Sequence, residues 1–377
     1  MARKTVERGI SYDDERKLYY ACMDYGKDDT GERVKKYKTF PTLSAARKGL
    51  REFHGEMATR AQIAPRSVTV DQWLDYWLEQ VVIPNRAETT VYGYRKIIEN
   101  HVSDALGDIP LQKLTPQDLQ QYYTMLMKEK GLAPNTVRRH HDLLSAALHF
   151  ALRQDAILRC PTERVEPPHV VPHEANFYSP ADLKRLYALC EGHWLEVVIR
   201  LAGNLGLRRE EICGLRWANV DLAGRKIHIC EARTAAGANI IQKETKNRSS
   251  TRALHMTAEL YHMLKHERAR QAERRLSLGT AWVNSGLVAV DRYGRGLSPN
   301  AVSLAFTRFV KQNGLPPLTL HGLRHTFATV ASAQGAPLFE IGKALGHSTP
   351  STTGRIYTHL LDQTHEATMA RVANALR

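Results

Sequence analysis

Cysteine is scarce. The five thiols, at 22, 160, 190, 213 and 230, form no Cys-x-x-Cys pair. That spacing argues against a zinc ribbon, and the odd count against a disulfide framework, so reduced thiols are expected. Nowhere do 18 apolar residues follow one another, so no transmembrane helix is expected. The opening Met1-Ala-Arg-Lys-Thr-Val-Glu-Arg8 has no apolar stretch behind its positive charges, so no secretory signal is read and a soluble, cytoplasmic protein with no membrane partner is expected. Acid is also in short supply. Lys and Arg number 53 against 39 Asp and Glu, a net charge of +14 in 377 residues, which points to a polyanionic partner such as nucleic acid. The blander reading is that the excess only keeps the protein soluble. Its distribution is uneven: residues 1–60 carry +4, residues 61–170 carry −1, and residues 171–377 carry +11.

With 43% hydrophobic residues the chain can bury proper cores, and its length predicts two or three domains. Residues 17–25 and 33–40 are short aromatic-rich runs separated by the turn signal Asp28-Asp-Thr-Gly31, and they read as a hairpin. Ala46, Leu50, Phe53 and Met57 recur at spacings of three and four, predicting a helix over 43–61. A three-stranded sheet packed on one helix is therefore expected over 1–62, its strand bearing Arg33, Lys35, Lys36 and Lys38. Such a sheet can lay a face into a DNA major groove, or it can be a solvated basic hairpin without a partner. Residues 67–160 read as four helices, beginning near Val70, Thr89, Thr115 and Pro134. Arg138, Arg139 and His140 lie near the start of the last, where they can meet phosphates; a helical dimerisation module is the alternative. The prolines of 161–176 mark an extended linker, and 177–377 form the last domain. On the helix predicted over 257–276, Arg268, Arg270, Arg274 and Arg275 read as a solvated face. The apolar spacing of 365–376 predicts a tail helix that docks either on its own domain or on a neighbouring protomer.

The densest chemistry lies in that last domain. Asn204-Leu-Gly206-Leu-Arg208 places an arginine just after a C-cap glycine, where the turn can aim it into a cleft. Glu211, three residues on, can hold Arg208 or a neighbouring histidine. Lys246 lies on a basic turn with Arg248 and Arg252; taken alone, such a turn reads as solvated as readily as catalytic. Then come His321-Gly-Leu-Arg324-His325, Leu345-Gly-His347 and Ile356-Tyr357-Thr-His359. His321 and His325 stand four apart like zinc ligands, but Gly322 occupies the place where a zincin needs glutamate, so no metal is expected. A metal-dependent nuclease would need clustered carboxylates, and this set offers mainly cations.

Arg208, Lys246, His321, Arg324, His347 and Tyr357, in that order, resemble the active site of the tyrosine recombinase family across residues 175–362. Gly322 departs from the family's usual Asp, and Asn247 from its usual Thr. The N-terminal sheet resembles the arm-binding domain of phage and conjugative-element integrases, and the helical region their core-binding domain. The fold class implied is multidomain and mainly α with small β-sheets, ending in an α+β catalytic domain. The resemblance further implies a site-specific recombinase acting on double-stranded DNA at core and arm sites as a homotetramer, without cofactor, in a bacterial nucleoid, with an excisionase and a host DNA-bending protein as further candidate partners. A type IB topoisomerase shares the constellation but has no evident need of the N-terminal sheet. A DNA-binding regulator with relic residues is the reading from another class, and the complete set argues against it.

Planar guanidiniums clamp phosphate oxygens bidentately, which suits Arg208 and Arg324. Lys246 is the candidate general acid for a departing 5′ oxygen, and His321 the candidate base for Tyr357. His347 is expected to hydrogen-bond a phosphate oxygen, and Tyr357 to be the nucleophile.

Overall fold

The computed structural model describes residues 3–27, 32–58, 68–171, 176–244 and 251–347. They fall into two compact units, divided between residues 172 and 173. Within the described residues the chain is mainly helical, with small antiparallel sheets.

The first unit opens with a four-stranded sheet, Lys4–Glu7, Ile10–Asp13, Leu18–Lys27 and Arg33–Phe40, in sequence order. That is one strand more than expected. The extra strand, Lys4–Glu7, is largely exposed and so carries no apolar alternation to announce it. Helix Leu43–Ala58 covers one face, burying Ala46 and Phe53 against Ile10, Ala21 and Met23. Register decides where the strand's cations go, because residues directly opposite each other share a face. Lys36 and Lys38 stand opposite Met23 and Ala21, on the helix side, whereas Lys35 and Tyr37 stand opposite Asp24 and Cys22, on the open side. Arg33 ion-pairs with Asp24 at 2.9 Å. The four expected contact residues therefore do not share one surface.

Further along, helices Val70–Trp77, Glu88–Ile97, Pro116–Lys128 and Pro134–Arg153 enclose a second apolar core. The first two each run on into a five-residue π turn, Leu78–Val82 and Ile98–Val102. Thr115 caps the third helix reciprocally with Asp118, with Pro116 at its first turn, the arrangement that the sequence signals. Trp73 donates its indole N–H to the Ala147 carbonyl at 3.0 Å.

His140 was expected to meet phosphates, but it lies inside this core at 1% exposure. Its Nδ1 is 2.8 Å from the Tyr122 hydroxyl, and one residue on, His141 Nδ1 is 3.0 Å from the Tyr123 hydroxyl. The helix turns 140 inward along with Val137, Leu144 and Ala147, leaving Arg138, paired with Asp142, and Arg139 toward solvent. The expected linker also begins inside the unit. Pro161 and Thr162 are buried, Gln120 exchanges hydrogen bonds with the Glu166 backbone, and Asn135 does the same with Val171.

The second unit is built on the buried helix Glu196–Leu205, against which helices Pro180–Cys190, Arg209–Gly214, Ala258–Leu278 and Leu320–Ala333 pack. Strands Val220–Asp221, Lys226–Ile229 and Arg252–His255 form a sheet in that order, and Glu231–Ala236 pairs with Asn239–Glu244. On helix Ala258–Leu278 the arginines do not all form the solvated face expected from the sequence. Arg270 and Arg274 both reach the buried Glu267, at 3.0 and 2.8 Å.

Burial first, and then the neighbouring His101, push His140 down from 6.5 to about 4. It is therefore neutral when folded and gains a proton on unfolding below pH 6.5. The stability it contributes is full above that pH and is lost as the pH falls toward about 4, with a slope approaching ~1.4 kcal/mol per pH unit. Other buried histidines add to the measured slope, so urea unfolding followed by tryptophan fluorescence should show a shallower pH dependence in His140→Gln than in the unmodified protein; equal slopes in both proteins would contradict a neutral buried histidine.

Candidate active site

Two glycines, each ending a helix, shape the site. Gly206 follows helix Glu196–Leu205 at φ 62°, and Gly346 follows helix Leu338–Leu345 at φ 67°, both in the left-handed region that side chains resist. A Cβ at 206 would lie 2.5 Å from Leu345 Cδ2 and 2.7 Å from Phe327 Cδ1, so the two turns approach as closely as glycine permits.

Arg208, at the N-cap of helix Arg209–Gly214, donates from Nη1 to Glu211 Oε1 at 2.9 Å and from Nη2 to the Gly346 carbonyl at 3.1 Å. Its backbone N–H donates to Glu211 Oε2 at 2.9 Å. Arg324 makes the reciprocal crossing. On helix Leu320–Ala333 and 3% exposed, it donates from Nη1 to the Gly206 carbonyl at 2.7 Å and from Nη2 to the Leu345 carbonyl at 2.8 Å. Both candidate clamp arginines thus converge on the same pair of helix ends, and His347 immediately follows one of them.

His321 sits one helical turn before Arg324, and its ring meets His325 edge-on with centroids 4.9 Å apart. Crowding by the surrounding protein, then the positive charges of Arg324, Arg208 and Arg209, hold its pKa below the ordinary value, with Glu210 opposing. His347 is pushed down to about 4, first by burial and then by Arg324, Arg208 and Arg252. Both imidazoles are therefore held neutral at physiological pH. His321 also faces a cavity of about 650 Å³, lined in part by Lys311, Leu318 and Thr319. Gly322 is explained by its packing, since a Cβ there would lie 2.5 Å from Leu318 Cδ1 and 3.1 Å from the Asn176 carbonyl oxygen.

Glu211 is 3% exposed. Burial alone would push its carboxyl up, but the hydrogen bonds and charge of Arg252, then the Arg208 amide and charge, outweigh this and leave it lowered. Arg252 therefore stands elsewhere than expected. Its side chain is 6% exposed and turned inward onto Glu211 and the Ala344 carbonyl, so it is not part of an open phosphate-binding surface. Strand alternation is the sequence signal that reveals this, because Arg252 shares its inward side with Leu254. Lys246, Arg248, Tyr357 and the tail 365–376 lie outside the described residues.

The phage integrase family model matches residues 176–364, just over half the chain. This chain is a tyrosine recombinase of the phage integrase family. A second family model, the phage integrase N-terminal SAM-like domain, matches residues 69–127 of this recombinase. Among curated relatives, a "Tyrosine recombinase XerC-like" protein of Caldanaerobacter subterraneus is 24% identical, covering 96% of each chain. The ICEBs1 integrase of Bacillus subtilis is 26% identical, covering 91% of this chain and 93% of its own. Among solved structures, the Tn1549 transposon integrase in complex with a circular intermediate DNA aligns at a TM-score of 0.68 and 22% identity, over 81% of this recombinase and all of that chain. A lambda integrase tetramer bound to a Holliday junction aligns at 0.58 and 17% identity, over 94% and 96%. The fold is thus shared with DNA-bound integrases.

Gly206→Ala should destabilise this recombinase. The left-handed conformation alone costs about 1–2 kcal/mol, and displacing Leu345 and Phe327 adds to it. Urea unfolding should report the loss, and an unchanged midpoint would show that the two turns have room to part.

Proposed function

We propose that this recombinase is a site-specific integrase that cuts and rejoins DNA strands between a mobile element and a chromosome through a 3′-phosphotyrosine intermediate. The observation carrying this reading is the convergence of Arg208 and Arg324 on the turns at Gly206 and Gly346, beside His347, with His321 one turn away on the Arg324 helix. The two guanidiniums clamp the non-bridging oxygens of one phosphodiester, and His347 donates a hydrogen bond to one of them. The Tyr357 oxygen attacks phosphorus as its proton passes to His321, whose depressed pKa leaves it free to accept one. The bond from phosphorus to the 5′ oxygen breaks, and that oxygen takes a proton from Lys246. The phosphotyrosine ester retains the phosphodiester energy, so a 5′ hydroxyl from a partner duplex reverses the step without ATP.

In this reading residues 1–62 bind arm sites, 67–160 with the attached 161–171 bind core DNA, and 177–377 carry catalysis. Lys35 on the open face of the sheet and Arg139 on the bundle are exposed cations that can meet phosphate. The lambda integrase tetramer on a Holliday junction supports four protomers synapsing two duplexes. An excisionase and a host DNA-bending protein are partners that this reading admits, and a bacterial nucleoid is its natural setting.

Incubation with nicked duplex spanning the joined ends of the encoding element should give a covalent protein–DNA adduct that disappears in Tyr357→Phe. Adduct in that variant would refute the nucleophile assignment, and none from the unmodified protein would favour a binding regulator. Deleting residues 1–62 should abolish binding to arm sites while core cleavage remains measurable; equal loss of both would refute the division.

A further inference from the structure

Arg252 contacts two parts of the site at once. Its Nη1 and Nη2 donate to Glu211 Oε1 and Oε2 at 3.1 and 2.9 Å, a two-pronged grip on the same carboxylate that holds Arg208. Its Nε donates to the Ala344 carbonyl at 2.6 Å, in the last turn of the helix that leads into Gly346 and His347. The side chain is 6% exposed, whereas Arg208 on the other side of Glu211 is 33% exposed. One arginine is buried, the other is partly exposed, and a buried carboxylate lies between them.

We propose that Arg252 is a positioning residue for strand cleavage, setting Arg208 through Glu211 and the His347 turn through the Ala344 carbonyl. The proposal rests on reading Arg208 and His347 as phosphate ligands. The two guanidiniums compete for one carboxylate. A carboxylate shared by two guanidiniums spends half its lone pairs on the buried one, leaving Arg208 donors to turn toward a phosphate. With Arg252 neutralised, the buried charge of Glu211 falls on Arg208 alone and draws that guanidinium back from the cleft. The Ala344 carbonyl loses its donor in the same change, loosening the turn that carries His347. Misplacements of about 1 Å at a reacting centre cost on the order of 100-fold in rate.

The test uses the full chain and the same nicked duplex, with Arg252→Gln, Arg252→Lys, Glu211→Gln and the Gln–Gln double variant. In Arg252→Gln the single-turnover rate of adduct formation at saturating DNA should fall roughly 10- to 100-fold, while DNA affinity changes less than threefold. Arg252→Lys, which keeps the charge but not the fork, should recover part of the rate. Since both residues act through one carboxylate, the double variant should lose far less than the product of the single losses. If Arg252→Gln proves too unstable to assay, Arg252→Lys and its pairing with Glu211→Gln carry the same comparison. An unchanged rate at saturating DNA in a folded variant overturns the proposal, as does a loss confined to affinity, which would make Arg252 a phosphate contact. A second readout needs no DNA: the Arg208 side-chain 15Nε resonance, assigned by its absence in Arg208→Lys, should shift in Arg252→Gln. A shift without adduct from the unmodified protein would refute the recombinase reading while leaving the positional link intact; no shift would refute the link itself.

Discussion

The catalytic unit depends on one buried carboxylate. Glu211 accepts from the Arg208 backbone and side chain and from both terminal nitrogens of Arg252, so a helix start, a strand start and, through these arginines, a helix end are tied to two oxygens. Positive charge gathered in one place repels itself. One internal negative charge, desolvated where attraction is strongest, offsets that repulsion between Arg208 and Arg252. The arrangement fits a phosphoryl transfer that relies on arginines for electrostatic stabilisation.

Much of the site was legible in the sequence because its parts are local. Gly206 before Arg208 is a helix ending that can be read from its neighbours, and His321 to Arg324 is a spacing of three residues, whereas the helix ending at Gly346 came from the structure. Glu211 was legible as the partner of Arg208, three positions away. What escaped was the long-range half. Nothing near Arg252 names Glu211, 41 residues earlier, or the Ala344 carbonyl, 92 residues later. A basic turn invites the reading of a phosphate contact, and only the strand's alternation separates an inward arginine from an outward one.

The first unit teaches the same lesson about charge. A run such as Arg33 to Lys38 looks like a single basic face, yet a strand sends successive side chains to opposite sides. His140 and His141 adjoin two arginines in sequence but turn inward onto two adjacent tyrosines, because the helix period places them with Val137 and Leu144. The extra N-terminal strand escaped for a simpler reason: an edge that buries almost nothing leaves no hydrophobic trace. Four helices were legible by their caps and apolar stripes, while the firm attachment of residues 161–171 was hidden behind prolines that suggest a free tether.

The crossed bonds at the two glycine turns carry a further consequence. Arg208 and Arg324 rest on carbonyl oxygens at the C-terminal ends of two helices, which bear partial negative charge. The backbone thereby acts as a resident surrogate for an anion. The same two turns that align the guanidiniums therefore also offset part of their charge.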